Sequence, residues 1–265
     1  MKQSGVIKTK LSSAGTDTKL LLGIVLVGLL AVNATAGVFG IELGAQQTKL
    51  EADFSYGNKY TKTTINLKDV GLDNSSSAFK PTLFYQTGNH RFDFDYDKIG
   101  VSDSHKIEKE FRFGSWYYNV IGANVESKLD VSVFRLGYKY RFLQDNKSYL
   151  NLGADVNIVN TKIDIAAPTY GLIRNEVSHT QSLLGLVADG NYAFTNMFGI
   201  EGKLAGSFVY QEAYAGLNME LFKNAQLRVG YQYKKFELES DDNVNKKFDA
   251  DLKYQGGFVG LNYRF

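Results

Sequence analysis

Arg91-Phe92-Asp93-Phe94-Asp95-Tyr96-Asp97 places rings at 92, 94 and 96 and charges at 91, 93, 95 and 97. In an extended strand the two sets point to opposite faces, whereas no helical period separates them. The stretch therefore reads as a strand with one apolar face and one charged face. The same alternation recurs downstream: Leu150, Leu152, Ala154, Val156 and Ile158 oppose Asn151, Asp155 and Asn157, and Leu227, Val229, Tyr231 and Tyr233 oppose Arg228, Gln232 and Lys234.

Composition agrees. The 265 residues include 26 Gly, 17 Tyr and 18 Phe but only two Pro, a mixture that suits strands and tight turns. Thirty basic residues nearly cancel 28 acidic ones, which argues against nucleic acid as a partner. The absence of cysteine excludes disulfides, thiolate metal sites and Cys nucleophiles. No His-x-x-x-His spacing and no glycine-rich phosphate loop occurs, so neither metal nor cofactor is expected.

The N-terminus reads as an export signal. Lys2, Lys8, Lys10 and Lys19 precede an apolar run from Leu20 to Val32, which at 13 residues falls short of the roughly 18–20 a spanning helix needs. Asn33-Ala34-Thr35-Ala36 then supplies small residues for cleavage after Ala36. Two domains follow from this: residues 1–36 as signal peptide and 37–265 as the mature protein. Removing four Lys and one Asp takes +3 from the formal +2 and leaves −1.

Ten strand segments can be counted, over 39–57, 78–88, 91–113, 121–143, 148–164, 179–195, 197–210, 212–222, 226–239 and 246–265. Eight is the alternative if the chain does not turn near Gln211-Glu212. Two odd-numbered connections are long, Gly57 to Ser77 and Ile165 to Ser178, while the even-numbered ones are short. With no helix to cover an apolar face, a closed antiparallel transmembrane β-barrel is the expected fold. Some strands change parity midway: Leu129, Val131 and Val133 give way to Phe134, Leu136, Tyr138, Tyr140 and Phe142. Either a β-bulge shifts the facing set, or the outer half projects beyond the lipid. The third and fourth strands are long enough to stand above the membrane, with Phe113 to Tyr118 near the tip.

The last residues, Gly260-Leu261-Asn262-Tyr263-Arg264-Phe265, put Val259, Leu261, Tyr263 and Phe265 on one face, and Gly137-Tyr138-Lys139-Tyr140-Arg141-Phe142 repeats the cadence. Here the chain resembles the bacterial outer-membrane β-barrel proteins, in particular the small class typified by OmpX and the OmpA membrane domain. The resemblance implies integral insertion in the outer membrane of a Gram-negative cell, among phospholipid and lipopolysaccharide. It implies that Tyr263 and Phe265 are the signal read by the barrel assembly machinery. It also makes Tyr138, Tyr140, Phe142, Tyr263 and Phe265 a periplasmic aromatic girdle.

If Phe92, Phe94 and Tyr96 face lipid, then Asp93, Asp95 and Asp97 face the lumen, and the next strand adds Arg135, Lys139 and Arg141. These six are expected to form an interior ion-pair network, joined by some of Glu42, Asp189, Glu201, Lys203, Glu220 and Arg228. A ten-strand barrel is narrow enough for such side chains to fill it largely.

Catalysis is not expected. Ten strands match the omptin proteases, which use an Asp-Asp and an Asp-His couple; Asp249-Ala250-Asp251 and Asp103-Ser104-His105 have those spacings but the reverse chain order. Asp249 and Asp251 also share parity with lipid-facing Val259 and Leu261, unless a bulge at Gly256-Gly257 shifts them. The leading expectation is a structural or surface-interaction barrel with a charged, largely filled lumen. A narrow porin-like channel is the alternative, with an outer-leaflet hydrolase behind it. A lipocalin-type carrier fits poorly, because its ligand would meet charge.

Overall fold

Strands whose outward face is apolar leave no water to satisfy exposed backbone groups, so the sheet has to close on itself. The computed structural model describes residues 37–57, 63–70, 72, 75–107, 110–113, 116–119, 121–145, 147–167, 173–243 and 246–265. The leader assigned to 1–36 lies outside them. In chain order the strands are β1 (Val38–Gly57), β2 (Thr63–Asn66), β3 (Ser75–Thr87), β4 (His90–Lys106), β5 (Phe111–Phe113), β6 (Trp116–Tyr118), β7 (Asn124–Asp145), β8 (Ser148–Ala167), β9 (Ile173–Ala193), β10 (Phe198–Gly206), β11 (Tyr210–Phe222), β12 (Ala225–Asn243) and β13 (Lys246–Arg264). Ten of these form an antiparallel ring in the order β1-β3-β4-β7-β8-β9-β10-β11-β12-β13, closed where β13 returns to β1. The ten-strand count holds, and the uncertain hairpin is real, turning through 207–209 rather than at Gln211-Glu212.

One end of the barrel carries short turns. At the β3–β4 turn Gly88 has φ +55°, a left-handed conformation that favours glycine. Both ends of the barrel chain also lie here, where the Phe265 amide donates to the Phe39 carbonyl at 2.8 Å. The other end carries the longer connections. The loop expected from Ile165 to Ser178 is mostly strand, since β8 and β9 pair as far as Ala167↔Ile173.

The parity changes are not bulges. Pairing of β1 with β13 runs without a shift from Gly40↔Arg264 to Gly57↔Lys247, straight through Gly256-Gly257. At Gly256 an added Cβ would lie 1.9 Å from the Gln47 carbonyl oxygen, so this glycine serves a close backbone approach. What changes is polarity at constant register. On β7 the inward series is Val125, Ser127, Leu129, Val131 and Val133, then Arg135, Gly137, Lys139 and Arg141. The outward series is Glu126, Lys128, Asp130 and Ser132, then Phe134 to Phe142 on even numbers. β1 behaves alike: Leu50, Ala52 and Phe54 lie inside above, Glu42 and Gln46 inside below. The turn-end half is thus apolar outside and charged inside, and the loop-end half is the reverse. From Phe134 to Phe142 the apolar face spans nine residues, close to the roughly 9–11 that cross a bilayer.

The loop-end half has an aliphatic core of the kind found in soluble proteins. Leu129, Leu238 and Leu252 are 0% exposed, each stabilising the fold by about 1.5–3 kcal/mol. Here the wall is incomplete in two places. β3 and β4 pair only from Thr82↔Asp95 to Thr87↔His90; the next residue, Pro81, has no N–H to continue a ladder. The β10–β11 hairpin ends early, and the Glu237 and Glu239 amides instead donate to the Val209 carbonyl and the Gln181 side chain at 2.9 and 3.0 Å.

Two insertions cover the open end. β2 pairs with Asp53–Tyr56 of β1 and leads into a 3-10 turn, Leu67–Val70, burying Ile65, Leu67, Val70 and Leu72. The β4–β7 hairpin runs past the apolar belt as expected, but its tip does not stand upright: β4 stops at Lys106 and the chain folds back, burying Phe111, Phe113 and Tyr118. Phe113 packs on Tyr56 with ring centroids 5.6 Å apart, and Asn175 donates to its carbonyl at 2.8 Å. Burial pushes the Tyr118 hydroxyl up to about 12, keeping it protonated as donor to the Ile165 carbonyl at 3.4 Å.

Leu129→Ala is expected to cost about 2–5 kcal/mol in urea unfolding of the vesicle-inserted protein. Lys128→Ala, on the outward face of the same strand, should stay within about 0.5 kcal/mol. Equal effects would contradict an apolar core in that half.

Candidate functional site: the charged lumen

Below the polarity step the inward positions of all ten strands converge on one layer. Asp95 and Arg135 are directly paired on β4 and β7 and form an ion pair. Arg135 continues to Glu212 at 2.6 Å, which also takes Lys203 at 2.7 Å and the Tyr210 hydroxyl at 2.5 Å. Asp97 reaches across the lumen to Lys234 at 3.0 Å, with Gln46 and the Tyr254 hydroxyl donating at 2.8 and 3.0 Å. Asp93 is held by Arg91 at 2.8 Å and Lys139 at 2.7 Å, and Lys139 goes on to Asp189. Arg228 joins Glu42 and Glu201, the latter at 2.7 Å. Lys80 donates to Gln232 at 2.9 Å. Asp93, Asp95, Asp97 and Glu212 are all buried, so pairing offsets a desolvation cost of several kcal/mol per ion. The layer encloses a cavity of about 100 Å³.

Asp93, Asp95, Asp97, Arg135 and Lys139 are thus brought together. Arg141 is a correction: its guanidinium donates to Asn151 and Gln86 at 3.2 and 3.0 Å and lies over the Tyr149 ring at 4.4 Å. No carboxylate is within ion-pair distance of it among the described residues. Glu220 lies apart from the central layer as well, 3.7 Å from Lys147 near the turns. Sequence reasoning omitted Lys80, Glu212 and Lys234. Lys234 already stood on the polar side of its strand, and stepping back from Asn218 in twos reaches Glu212.

The girdle residues lie at the turn end on the outward face. Tyr138, Tyr140, Phe142, Tyr263 and Phe265 are each 36–63% exposed. Tyr140 meets Phe142 edge-on at 5.2 Å, as Tyr263 meets Phe265 at 5.0 Å, and His90 bonds the Tyr138 hydroxyl at 2.8 Å. The Asp103–His105 and Asp249–Asp251 couples do not share a face. Asp103 and His105 continue the inward series of β4 to the rim. Asp249 and Asp251 lie on the outward series of β13, with two ring strands between β13 and β4.

Among known proteins, a family model described as "Protein of unknown function, DUF481" matches residues 125–255, just under half of the chain. No curated protein matches. Among solved structures, the outer membrane protease OmpT from Escherichia coli superposes with a TM-score of 0.54 at 10% identity, over 85% of this chain and 97% of that one. OprG from Pseudomonas aeruginosa gives 0.46 at 14% identity, over 87% and 96%. Neisserial surface protein A gives 0.39 at 12% identity, over 86% and 97%. The likeness to OmpT is one of fold alone. Together with the closed ring and its apolar belt, it identifies the chain as a bacterial outer-membrane β-barrel, integral to the outer membrane. The short turns then face the periplasm and the long loops the cell exterior.

Glu212→Gln, which weakens the hold on Arg135, Lys203 and Lys234 together, is expected to cost about 3–5 kcal/mol. Glu176→Gln, at an exterior pair with Lys162, should cost at most about 1 kcal/mol. Unfolding midpoints of folded, heat-modifiable protein provide the comparison.

Proposed function

We propose that the protein is a non-conducting, non-catalytic outer-membrane barrel that holds a water-exposed β-cylinder above the outer leaflet as a contact surface. The observation that carries this reading is the aliphatic layer above the charged one. Leu50, Ile99, Leu129, Leu238 and Leu252 are at most 1% exposed there. A hydrated ion leaving the charged cavity would have to shed water among those side chains, at a cost of many kcal/mol. Leu67, Val70 and Leu72 of one insertion and Phe111, Phe113 and Tyr118 of the other add a second apolar cover. A porin-like conduit therefore has less support than a filled lumen.

The same arrangement speaks for the absence of chemistry, since the Asp103–His105 and Asp249–Asp251 couples lie on different faces. Partners are expected from outside. Lys98 follows Tyr96 by one outward step, at the height where lipopolysaccharide phosphates would meet the wall, and Lys162 follows Ile158 by two. Outward Tyr263 and Phe265 suit reading by the barrel assembly machinery during insertion.

Purified protein in planar bilayers is expected to give no stable single-channel openings, and peptide and lipid substrates no turnover above background. Stable openings would overturn the filled lumen, and hydrolysis lost in His105→Ala would overturn the non-enzymatic reading.

A further inference from the structure

Beneath the charged layer lies a second cavity, of about 230 Å³, at the periplasmic end. Its chemistry differs from the layer above. Three arginines line it, Arg91, Arg141 and Arg264, and Arg91 and Arg264 act on Arg141 as like charges. Among the described residues only Arg91 of the three has a carboxylate partner, Asp93 at 2.8 Å. Arg141 spends donors on two amide oxygens, and the Arg264 side chain has no hydrogen-bond or ion-pair partner among the described residues. The carboxylate at this cavity, Glu220, is drawn to Lys147. Arg91 and Arg264 border the charged layer as well, whereas Arg141 lines only the lower cavity; among the described residues Asp155, in the layer above, is bonded by Asn157 and not by a cation.

The arginines are also held in shape. Arg91 lies 4.1 Å over Phe84 and Arg141 4.4 Å over Tyr149, so cation–π contact helps to hold each guanidinium in place. Crowding like charges in a recess is unfavourable unless an anion joins them, and a planar fork of N–H groups matches the oxygens of a carboxylate or phosphate. Linked amides of Asn191, Asn218 and Gln226 line the same wall, 2.6–3.0 Å from one another.

We propose that this cavity binds an oxyanion, a carboxylate or phosphate group entering from the periplasm, gripped between Arg141 and Arg264. The site is separate from the contact surface on the exterior and does not depend on that role.

The test is calorimetric titration of the full mature chain, in uncharged detergent at low ionic strength, with inorganic phosphate and with acetate. Saturable binding of either probe at one per barrel is expected, weakened at least tenfold in Arg141→Gln and in Arg264→Gln. Arg174→Gln, at the far end of the barrel, should leave it within twofold. Preference for phosphate or for acetate would name the group recognised, and either preference supports the site. Arg264→Gln carries the test if Arg141→Gln fails to give heat-modifiable protein. Failure of both probes to saturate would overturn the proposal, as would affinity that survives Arg264→Gln unchanged.

Discussion

A charge on the inner wall of a lipid-spanning barrel narrow enough for side chains to fill has little water beside it, so it must be matched by charges and dipoles reaching it from the rest of the wall. Asp93, Asp95, Asp97 and Glu212 meet that demand through cations on five strands, β4, β7, β10, β12 and the Lys80-bearing β3 behind them. The demand also locks register. A slip of one residue on β4 would send three aspartates into acyl chains and three rings into the charged layer. Any slip by an odd number of residues therefore loses on both faces at once.

The same ladder continues upward without a bulge on β1, where outer and inner faces exchange polarity within about two residues. Below the step, lipid supplies the apolar contact and the lumen supplies the polar one. Above it, water surrounds the wall, and the inside becomes an ordinary hydrophobic core of Leu50, Leu129, Leu238 and Leu252. That core lets the wall tolerate two missing ladders, at β3–β4 and above the β10–β11 hairpin, because side-chain burial rather than strand pairing holds the region together. It also explains why the loop-end insertions fold inward: Phe113 and Leu67 find apolar surface to bury against.

Much of this was legible in Arg91–Asp97 and the stretches like it, because period-two alternation names the two faces of each strand. The closed ring, the ten strands and the pairing of Asp95 with Arg135 follow from ring strands that each pair with the next ring strand in the chain. Height along the barrel axis was not legible. A bulge and a polarity step leave the same trace in sequence, a run of apolar residues that jumps from odd to even. For the same reason Arg141 looked like a member of the network: its parity is right, but it lies too close to the periplasmic rim to reach an acid. Partners on strands that are not neighbours, such as Asp97 with Lys234 across the lumen or Glu42 with Arg228 across β13, depend on closure and tilt, which no local pattern records. The inward fold of β5–β6 was hidden too, since a hairpin tip rich in rings reads alike whether it stands or bends.

Both halves of the barrel rest on a single register, with a polarity step between Ser132 and Phe134. Single spin labels along β7, in vesicle-inserted protein, measure access to oxygen against access to a water-soluble nickel complex. Labels at Lys128, Asp130 and Ser132 should be reached by nickel, labels at Phe134, Leu136 and Tyr138 by oxygen, and those at Leu129 and Val131 by neither. Oxygen reaching Leu129 and Val131 from lipid would mean that the facing set shifts by one residue, and would contradict the account.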